Sequence, residues 1–329
     1  MLKKLCALVA NVVAAAGLAL SPLAHAADYP EQPVRVIIGN PPGGPTDVFA
    51  RALAARLTDE LKQQFFVDNK AGASEILAAQ VVANAKPDGY TLLFCTETPL
   101  AINQFTFSKL SYNPEKDFAP ITMIASAPLV LVAPASSPVK SLDEFVALAR
   151  SRAATKPLTY GSAGVGGVLH LPMAMLAKNN GLELTHVPYK GATPMLQDLL
   201  SGQIDAGWVG VSGAVPYVRE GKLKALVVGG TSRLSILPNT PVFSETSIAP
   251  ERSDFMFSLV APAGTPPQIL DKIGQAVKKI VNDRKFKETQ LDPYGYVAVG
   301  STPEDFRKFL IKDRQVQEQR IKVSGVRPE

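Results

Sequence analysis

Short apolar runs alternate along the chain with longer stretches in which apolar residues return every three or four positions. The first run, Val34-Arg35-Val36-Ile37-Ile38, has the pattern of a strand. After it, Val48, Phe49, Ala52, Leu53, Leu57 and Leu61 fall on one face of a helix starting near Asp47. Phe65-Phe66-Val67 reads as the next strand, Ile76 to Ala85 as a helix, and Tyr90 to Cys95 as a buried strand. Ser74 is placed to cap the second helix, with Glu75 in its first turn. Asp117 to Ile124 reads as a crossing segment, and Leu129 to Val132 opens a second unit with the same rhythm. A helix follows a cap at Ser141. Then come a strand at Leu158-Thr159-Tyr160, a helix from Val168 to about Asn179, a strand from Leu184 to Val187 and a helix from Thr193 to Leu200. Strand patterns end at Trp208 and run from Leu223 to Val228. Phe255 to Val260 reads as a strand returning to the first unit, followed by helices from Pro266 and from Thr302.

This alternation predicts an α/β fold with parallel sheets. Two crossings of the chain predict a discontinuous first domain, residues 27–127 and 252–329, with a second domain, 128–251, inserted into it. Ligands of such sheets sit at the carboxyl ends of strands, and clefts between domains are the usual small-molecule sites.

Two stretches carry the candidate chemistry. Pro41-Pro42-Gly43-Gly44-Pro45-Thr46-Asp47 follows the first strand and opens the first helix. Glycine lets backbone approach a ligand, and the first turn of a helix offers unpaired amides and a positive dipole end. With no Lys or Arg inside it, the stretch would hold a carboxylate by amides and dipole. An ordinary turn between strand and helix has the same composition, so one loop alone does not establish a site. The second stretch is Gly161-Ser162-Ala163-Gly164-Val165-Gly166-Gly167, again between a strand and a helix. It is not a nucleotide motif: Val168 stands where a phosphate-binding loop needs lysine, and Leu169 where a dinucleotide fingerprint needs glycine. Nor is it a nucleophile elbow, because Tyr160 stands two before Ser162. A Ser162–His170 hydrolase lacks a recognisable acid partner. Two neutral, donor-rich loops facing one cleft are harder to ascribe to accident than one.

The amino terminus has the form of a secretory leader. Lys3 and Lys4 precede an apolar run from Leu5 to Leu20, and Ala24-His25-Ala26 has the form of a cleavage site. That predicts a signal peptide over residues 1–26 and, in a bacterium, a periplasmic protein. About 300 residues remain, enough for two domains. The formal net charge of +5 falls to +3 without Lys3 and Lys4, which gives no case for nucleic acid. Without Cys6 only Cys95 is left, so no disulfide can staple the chain; in Leu92-Leu93-Phe94-Cys95 it reads as a small core residue. No spacing of His, Cys, Asp and Glu resembles a metal site, and no cofactor or catalytic set is indicated. His170 and His186 read more readily as capping or packing residues than as ligand contacts. Trp208 reads equally as pocket wall or core, Asp205 as a loop brace, and Arg314, Arg320 and Lys322 as the solvated face of a final helix.

An ordered set of stretches resembles the periplasmic solute receptors of tripartite tricarboxylate transporters, the Bug-type family. They include Pro41-Pro42-Gly43-Gly44 with Asp47, Pro87-Asp88-Gly89-Tyr90-Thr91-Leu92-Leu93, Tyr160-Gly161-Ser162-Ala163-Gly164, His186-Val187-Pro188-Tyr189-Lys190-Gly191, Asp198-Leu199-Leu200-Ser201-Gly202 and Ala261-Pro262-Ala263-Gly264-Thr265-Pro266. The resemblance spans nearly the whole chain after the leader. It implies a two-domain, type II-like periplasmic binding protein fold closing over a small organic acid. It also implies transporter membrane subunits as partners. A small organic acid or amino-acid-like ligand and a monomeric receptor are expected. The ligand-binding set expected from loops and resemblance together is Pro42, Gly43, Gly44, Thr46, Asp47, Glu75, Thr96, Glu97, Ser162, Ala163, Gly164, Gly166, Gly167, His170 and Trp208.

The chain departs from the family where Gly72-Ala73-Ser74-Glu75 replaces a common Gly-Ala-Gly-Gly run, and where Gly167 replaces a common serine. Glu75 and Glu97 would repel a dianion if both faced the cleft. On that argument an amino acid, amide or aromatic monoacid fits better than a di- or tricarboxylate. The alternative is that both carboxylates turn away. A sensory subunit feeding a membrane kinase, and an enzyme of the same architecture, are the other functions compatible with this pattern.

Overall fold

The computed structural model describes residues 29–230, 233–249 and 253–326, apart from the side chain of Ala73. The expected signal peptide lies outside the described residues.

The first lobe opens with β1 (Val34–Ile38), α1 (Pro45–Leu61), β2 (Phe65–Asn69), α2 (Ile76–Ala83) and β3 (Thr91–Cys95). β1 lies between β2 and β3, parallel to both, with Val36 beside Val67 and Leu92. α1 buries Phe49, Ala50, Leu53, Ala54 and Leu57. Val48, expected on that face, is exposed instead. A helical segment at Thr98–Ile102 runs into α3 (Asn103–Thr106), neither of which the apolar pattern announced.

β4 (Phe118–Pro134) spans 17 residues and fuses the expected crossing segment with the strand after it. The second lobe continues with α4 (Leu142–Arg152), β5 (Leu158–Ser162), α5 (Leu171–Asn180), β6 (Leu184–Pro188), α6 (Ala192–Ser201), β7 (Ala206–Gly210), α7 (Val211–Arg219) and β8 (Leu223–Val228). The chain returns through β9 (Asp254–Pro262) to α8 (Pro267–Asn282), the short β10 (Val297–Ala298) and α9 (Pro303–Ser324). Gly213 and Pro216 disguised α7, because both are poor helix formers. Burial of Val211, Ala214 and Val215 overrides that local preference.

The strands join in the order β2-β1-β3-β9-β4-β7-β5-β6, with β8 and β10 also on β4. The predicted parallel sheets hold within each lobe: β1, β2 and β3 are parallel, as are β5, β6 and β7. Between them the sheet is antiparallel, because β9 runs against both β3 and β4. β4 pairs with β9 as far as Pro128, opposite Asp254, and with β7 from Leu129, opposite Gly210. One strand therefore belongs to both lobes and changes partner at Pro128 and Leu129.

Ser141 caps α4 as expected, accepting from Glu144 N, and Thr302, where a helix was expected to start, caps α9, accepting from Asp305 N. Asp205 braces a loop, accepting from Thr159 N and Oγ1 at 2.8 and 2.9 Å. Cys95 is fully buried beside Ser258. The solvated face expected for α9 is not found at Arg314 or Arg320. Arg314 donates to the carbonyls of Leu100 and Pro114 at 3.0 and 2.9 Å, and Arg320 is buried against Gln317. The missing signal was tertiary: the helix pattern does not reveal that this face meets the carbonyls of Leu100 and Pro114.

The aromatic centre of the first lobe is Phe257 on β9, with ring centroids 5.0 to 5.6 Å from Phe49, Phe94, Phe255 and Tyr296. Truncation there removes packing from four rings at once and leaves a cavity. Phe257→Ala is expected to cost about 3–5 kcal/mol, read as a lowered urea midpoint; a loss below about 1 kcal/mol would show that the cluster is not packed as described.

Candidate functional site between the lobes

The first glycine loop turns at the carboxyl end of β1. Gly43 takes φ +79°, and Gly44 is the N-cap of α1 with Pro45 at its first position. Asp47 is buried beneath the loop. Its carboxylate accepts from Gly43 N at 2.9 Å, from Arg51 Nε and from Asn69 Nδ2. Burial alone would raise its pKa, but these donors hold it below the usual carboxylate range. Asp47 therefore shapes the loop through its side chain, and Arg51 is tied to it. In the first turn of α1 the amides of Thr46 and Asp47 have no acceptor among the described residues. Pro42 and Gly43 are exposed, while Gly44 and Thr46 are half-buried.

The second loop leaves β5 at Ser162. It is braced from behind by three stacked rings, Tyr160, His186 and His170. The two imidazoles lie 3.8 Å apart and within 7° of parallel, and Tyr160 is 4.9 Å from His186. His170 Nδ1 accepts from Gly166 N at 2.7 Å, so its Nε2 carries the proton shared with Tyr160 Oη at 3.0 Å. Ser162 Oγ donates to Gly164 O at 2.9 Å, so the 2.7 Å bond to His186 Nε2 has the imidazole as donor. Ser162 is fully buried, its proton is held by a carbonyl, and its histidine is not placed as a base. The Ser–His pair is a loop brace. Of the loop amides, Gly164 N and Gly166 N are directed inward, whereas Ala163 N and Val165 N have no acceptor among the described residues. His170 precedes α5 rather than lying one turn inside it, because the helix begins at Leu171.

The lobes meet at this second loop. Ser74 Oγ lies 3.3 Å from where a Cβ on Gly164 would be. A Cβ on Gly166, which has φ +71°, would overlap Thr106 Cγ2. Beside this contact Ile102 from the first lobe, Leu171 from the second and Ile321 of α9 form a buried apolar cluster. The second loop thus touches the segment around Ser74 and α3. Its contact with the first lobe does not fall on the first glycine loop.

Ser74 and Glu75 both take left-handed backbone, φ 50° and 67°, so Ser74 is not the expected N-cap of α2. Glu75 is buried at the ends of β1 and β3. Its carboxyl accepts from Thr96 Oγ1 at 2.8 Å and from Thr96 N at 3.3 Å, and its Cβ fills the space above Gly39. Burial pushes its pKa up to about 7. Glu97 is buried and accepts from Met256 N of β9 at 3.0 Å. Trp208 has no solvent exposure and stacks near Phe243 in the core. Sequence reading missed Asn103 and Thr106, both almost wholly buried at the lobe contact, with Asn103 Oδ1 and Thr106 Oγ1 unpartnered among the described residues. Only topology reveals them, because α3 has no apolar periodicity to announce it.

Residues 49–325 match the family described as tripartite tricarboxylate transporter family receptor. The chain belongs to that family. A Cupriavidus necator relative, "UPF0065 protein in gbd 5'region", is 36% identical over 292 residues, covering 87% of each chain. BugT of Bordetella pertussis is 30% identical, covering 95% of this chain and 94% of its own. Among solved structures, an R. palustris protein with adipate superposes with TM-score 0.86 at 30% identity, covering 92% of this chain and all of that one. MatC of Rhodopseudomonas palustris with bound malate gives TM-score 0.81 at 31% identity, covering 89% and 100%. The periplasmic binding protein BugD gives 0.83 at 28% identity, covering 92% and 100%. The tripartite tricarboxylate receptors and these structures are solute-binding proteins rather than enzymes, and the fold of this receptor is theirs. No helix among the described residues is long and apolar enough to cross a membrane.

The ring stack gives the receptor a pH signature. Burial, reinforced for His170 by His186, lowers the two pKa values from 6.5 to about 3 and about 4. Their neutral forms favour the folded state above pH 6.5, and that contribution is lost as pH falls toward 4. Glu75 acts oppositely: its raised pKa gives stability that is present below 4.5 and lost as pH rises through 7. The urea midpoint should therefore fall between pH 6.5 and 4, more steeply in Glu75→Gln. It should fall less in a His170→Gln, His186→Gln double variant; equal slopes in all three proteins would contradict the assignment.

Proposed function

We propose that this receptor captures a small organic acid between its lobes and delivers it to the membrane subunits of a tripartite tricarboxylate-type transporter. Export by the leader at residues 1–26 would place it in the periplasm. The observation that carries the reading is that each lobe presents a glycine loop without side-chain cations whose amides at Thr46 and Asp47, and at Ala163 and Val165, have no acceptor among the described residues. On this reading Thr46 and Asp47, through the first turn of α1, and Ala163 and Val165, through their amides, hold a carboxylate. Gly43, Gly44, Gly164, Gly166 and Gly167 allow the close approach, with Pro42 at the rim. Ser162 and His170 keep the second loop in shape, and Thr96 and Glu75 form the floor of the first lobe. Asp47 contributes its amide, its carboxylate being engaged beneath the loop. Glu97 and Trp208 support the walls from behind.

The domain division that fits this function places 27–127 and 252–329 in one domain and 128–251 in the other. Its support is the exchange of strand partners on β4 at Pro128 and Leu129. The bound adipate and malate of the similar structures support a small aliphatic acid as the ligand class.

The test is thermal unfolding against a panel of four- to six-carbon acids and their amino and hydroxy counterparts. A ligand at one hundred times its dissociation constant should stabilise by about 2.7 kcal/mol. Gly166→Ala, which puts a methyl group into Thr106, should weaken every such ligand at least tenfold and raise the radius of gyration measured with ligand. A panel with no stabilising acid, or a Gly166→Ala protein that binds and closes normally, would overturn the reading.

A further inference from the structure

Glu75 is out of keeping with its surroundings. It is a buried carboxyl with no cation paired to it among the described residues. Such a group is costly unless something else compensates. Its backbone and that of Ser74 are left-handed, a conformation that non-glycine residues adopt at a cost and that clusters at functional positions. The residue beside it touches the second lobe through Gly164.

Asn103 supplies an independent observation. Its Nδ2 donates to Ser74 O at 2.9 Å and to Tyr112 Oη at 3.1 Å. Ser74 O can only accept, so the amide orientation is fixed and the unpartnered buried atom is the acceptor Oδ1. Two acceptors, Glu75 and Asn103 Oδ1, flank Ser74 at the lobe contact, and neither has a cationic donor. Both call for a donor.

We propose that Glu75 is a specificity-determining residue whose carboxyl takes the first-lobe end of the cleft, so that the ligand presents there an ammonium group and not a second carboxylate. The proposal rests on the receptor reading above. The ligand class is an acid with its carboxylate at the amides and its amine toward Glu75 and Asn103. The dicarboxylates of the similar structures would then be poor ligands for this chain, since two carboxyls would compete for one donor, Thr96.

The titratable groups facing Glu75 are Cys95 on β3 and Tyr112, both pushed up by its charge as well as by burial. Glu97 lies on the same strand end but bonds to β9. Neither thiol nor phenol ionises near neutral pH, so Glu75 sets the pH response of ligand choice. Near pH 6 its carboxyl is largely neutral and tolerates a second acid group; near pH 8 it is ionised and selects the ammonium.

The experiment compares matched pairs by calorimetry at pH 6 and pH 8: succinate against 4-aminobutanoate, and adipate against 6-aminohexanoate. The wild type should prefer the amino acid of at least one pair tenfold or more at pH 8, with a smaller preference at pH 6. Glu75→Gln, which keeps an acceptor for Thr96 but carries no charge, should lose the preference and its pH dependence. Glu75→Gly, which relieves the left-handed backbone, should shift the ratio toward the diacid and serves if the Gln variant fails to fold. Binding of these acids with a ratio that neither substitution changes would overturn this proposal and leave the receptor reading standing. Failure of all four acids to bind wild type would overturn this proposal, whereas the receptor reading falls only if the wider panel fails as well.

Discussion

A loop of seven residues can lie against another lobe only if nothing projects from it at the point of contact. The rest of this receptor depends on that constraint. Gly166 meets Thr106 with no room for a methyl group, and at Gly164 a Cβ would come within 3.3 Å of Ser74 Oγ. Because the loop is bare, its backbone comes close to the first lobe. Because it is bare it is also floppy by composition, and the stacked Tyr160, His186 and His170 supply the rigidity that its own side chains cannot. Neutral histidines suit this role, since two imidazolium rings 3.8 Å apart would repel.

The same division of labour recurs in the first lobe. Asp47 is the one charged side chain in the first glycine loop, and it is directed under the loop to bind Gly43 N and Arg51. Its charge organises the turn, while the amides of Thr46 and Asp47 in the first helical turn have no acceptor among the described residues. Linking the two lobes is a mechanical matter. β4 runs through both sheet halves, and β9 pairs with it up to the point of partner exchange, so the lobes share backbone hydrogen bonds on one side. On the other side they share the apolar contact of Ile102, Leu171 and Ile321.

Much of this was legible in the sequence, for identifiable reasons. Strands such as Val34–Ile38 and Leu223–Val228 are apolar runs bounded by turn residues, and both were found where expected. The cap at Ser141 is local chemistry and was equally visible. The glycine loops at strand ends were legible as loops because their position follows from topology: one joins β1 to α1 and the other β5 to α5. Side-chain direction was not legible. Glu97 and Trp208 lie in the same chain neighbourhoods as cleft residues, yet one bonds to β9 and the other packs into the core. Ser74 had the composition of a helix cap and adopted a left-handed conformation instead, set by its contacts with Asn103 and the second lobe. Asn103 and Thr106 had no signal, since a four-residue helix shows no period.

The central claim is that amides from two lobes, rather than side-chain cations, grip the acid. A crystal structure of the receptor with a bound organic acid tests this most directly. The account predicts carboxylate oxygens about 3 Å from backbone nitrogens of both the α1 turn and the Ala163–Val165 segment, with bridging water permitted. A carboxylate held by an arginine or lysine side chain, or by one lobe alone with the other more than a water layer away, would contradict it.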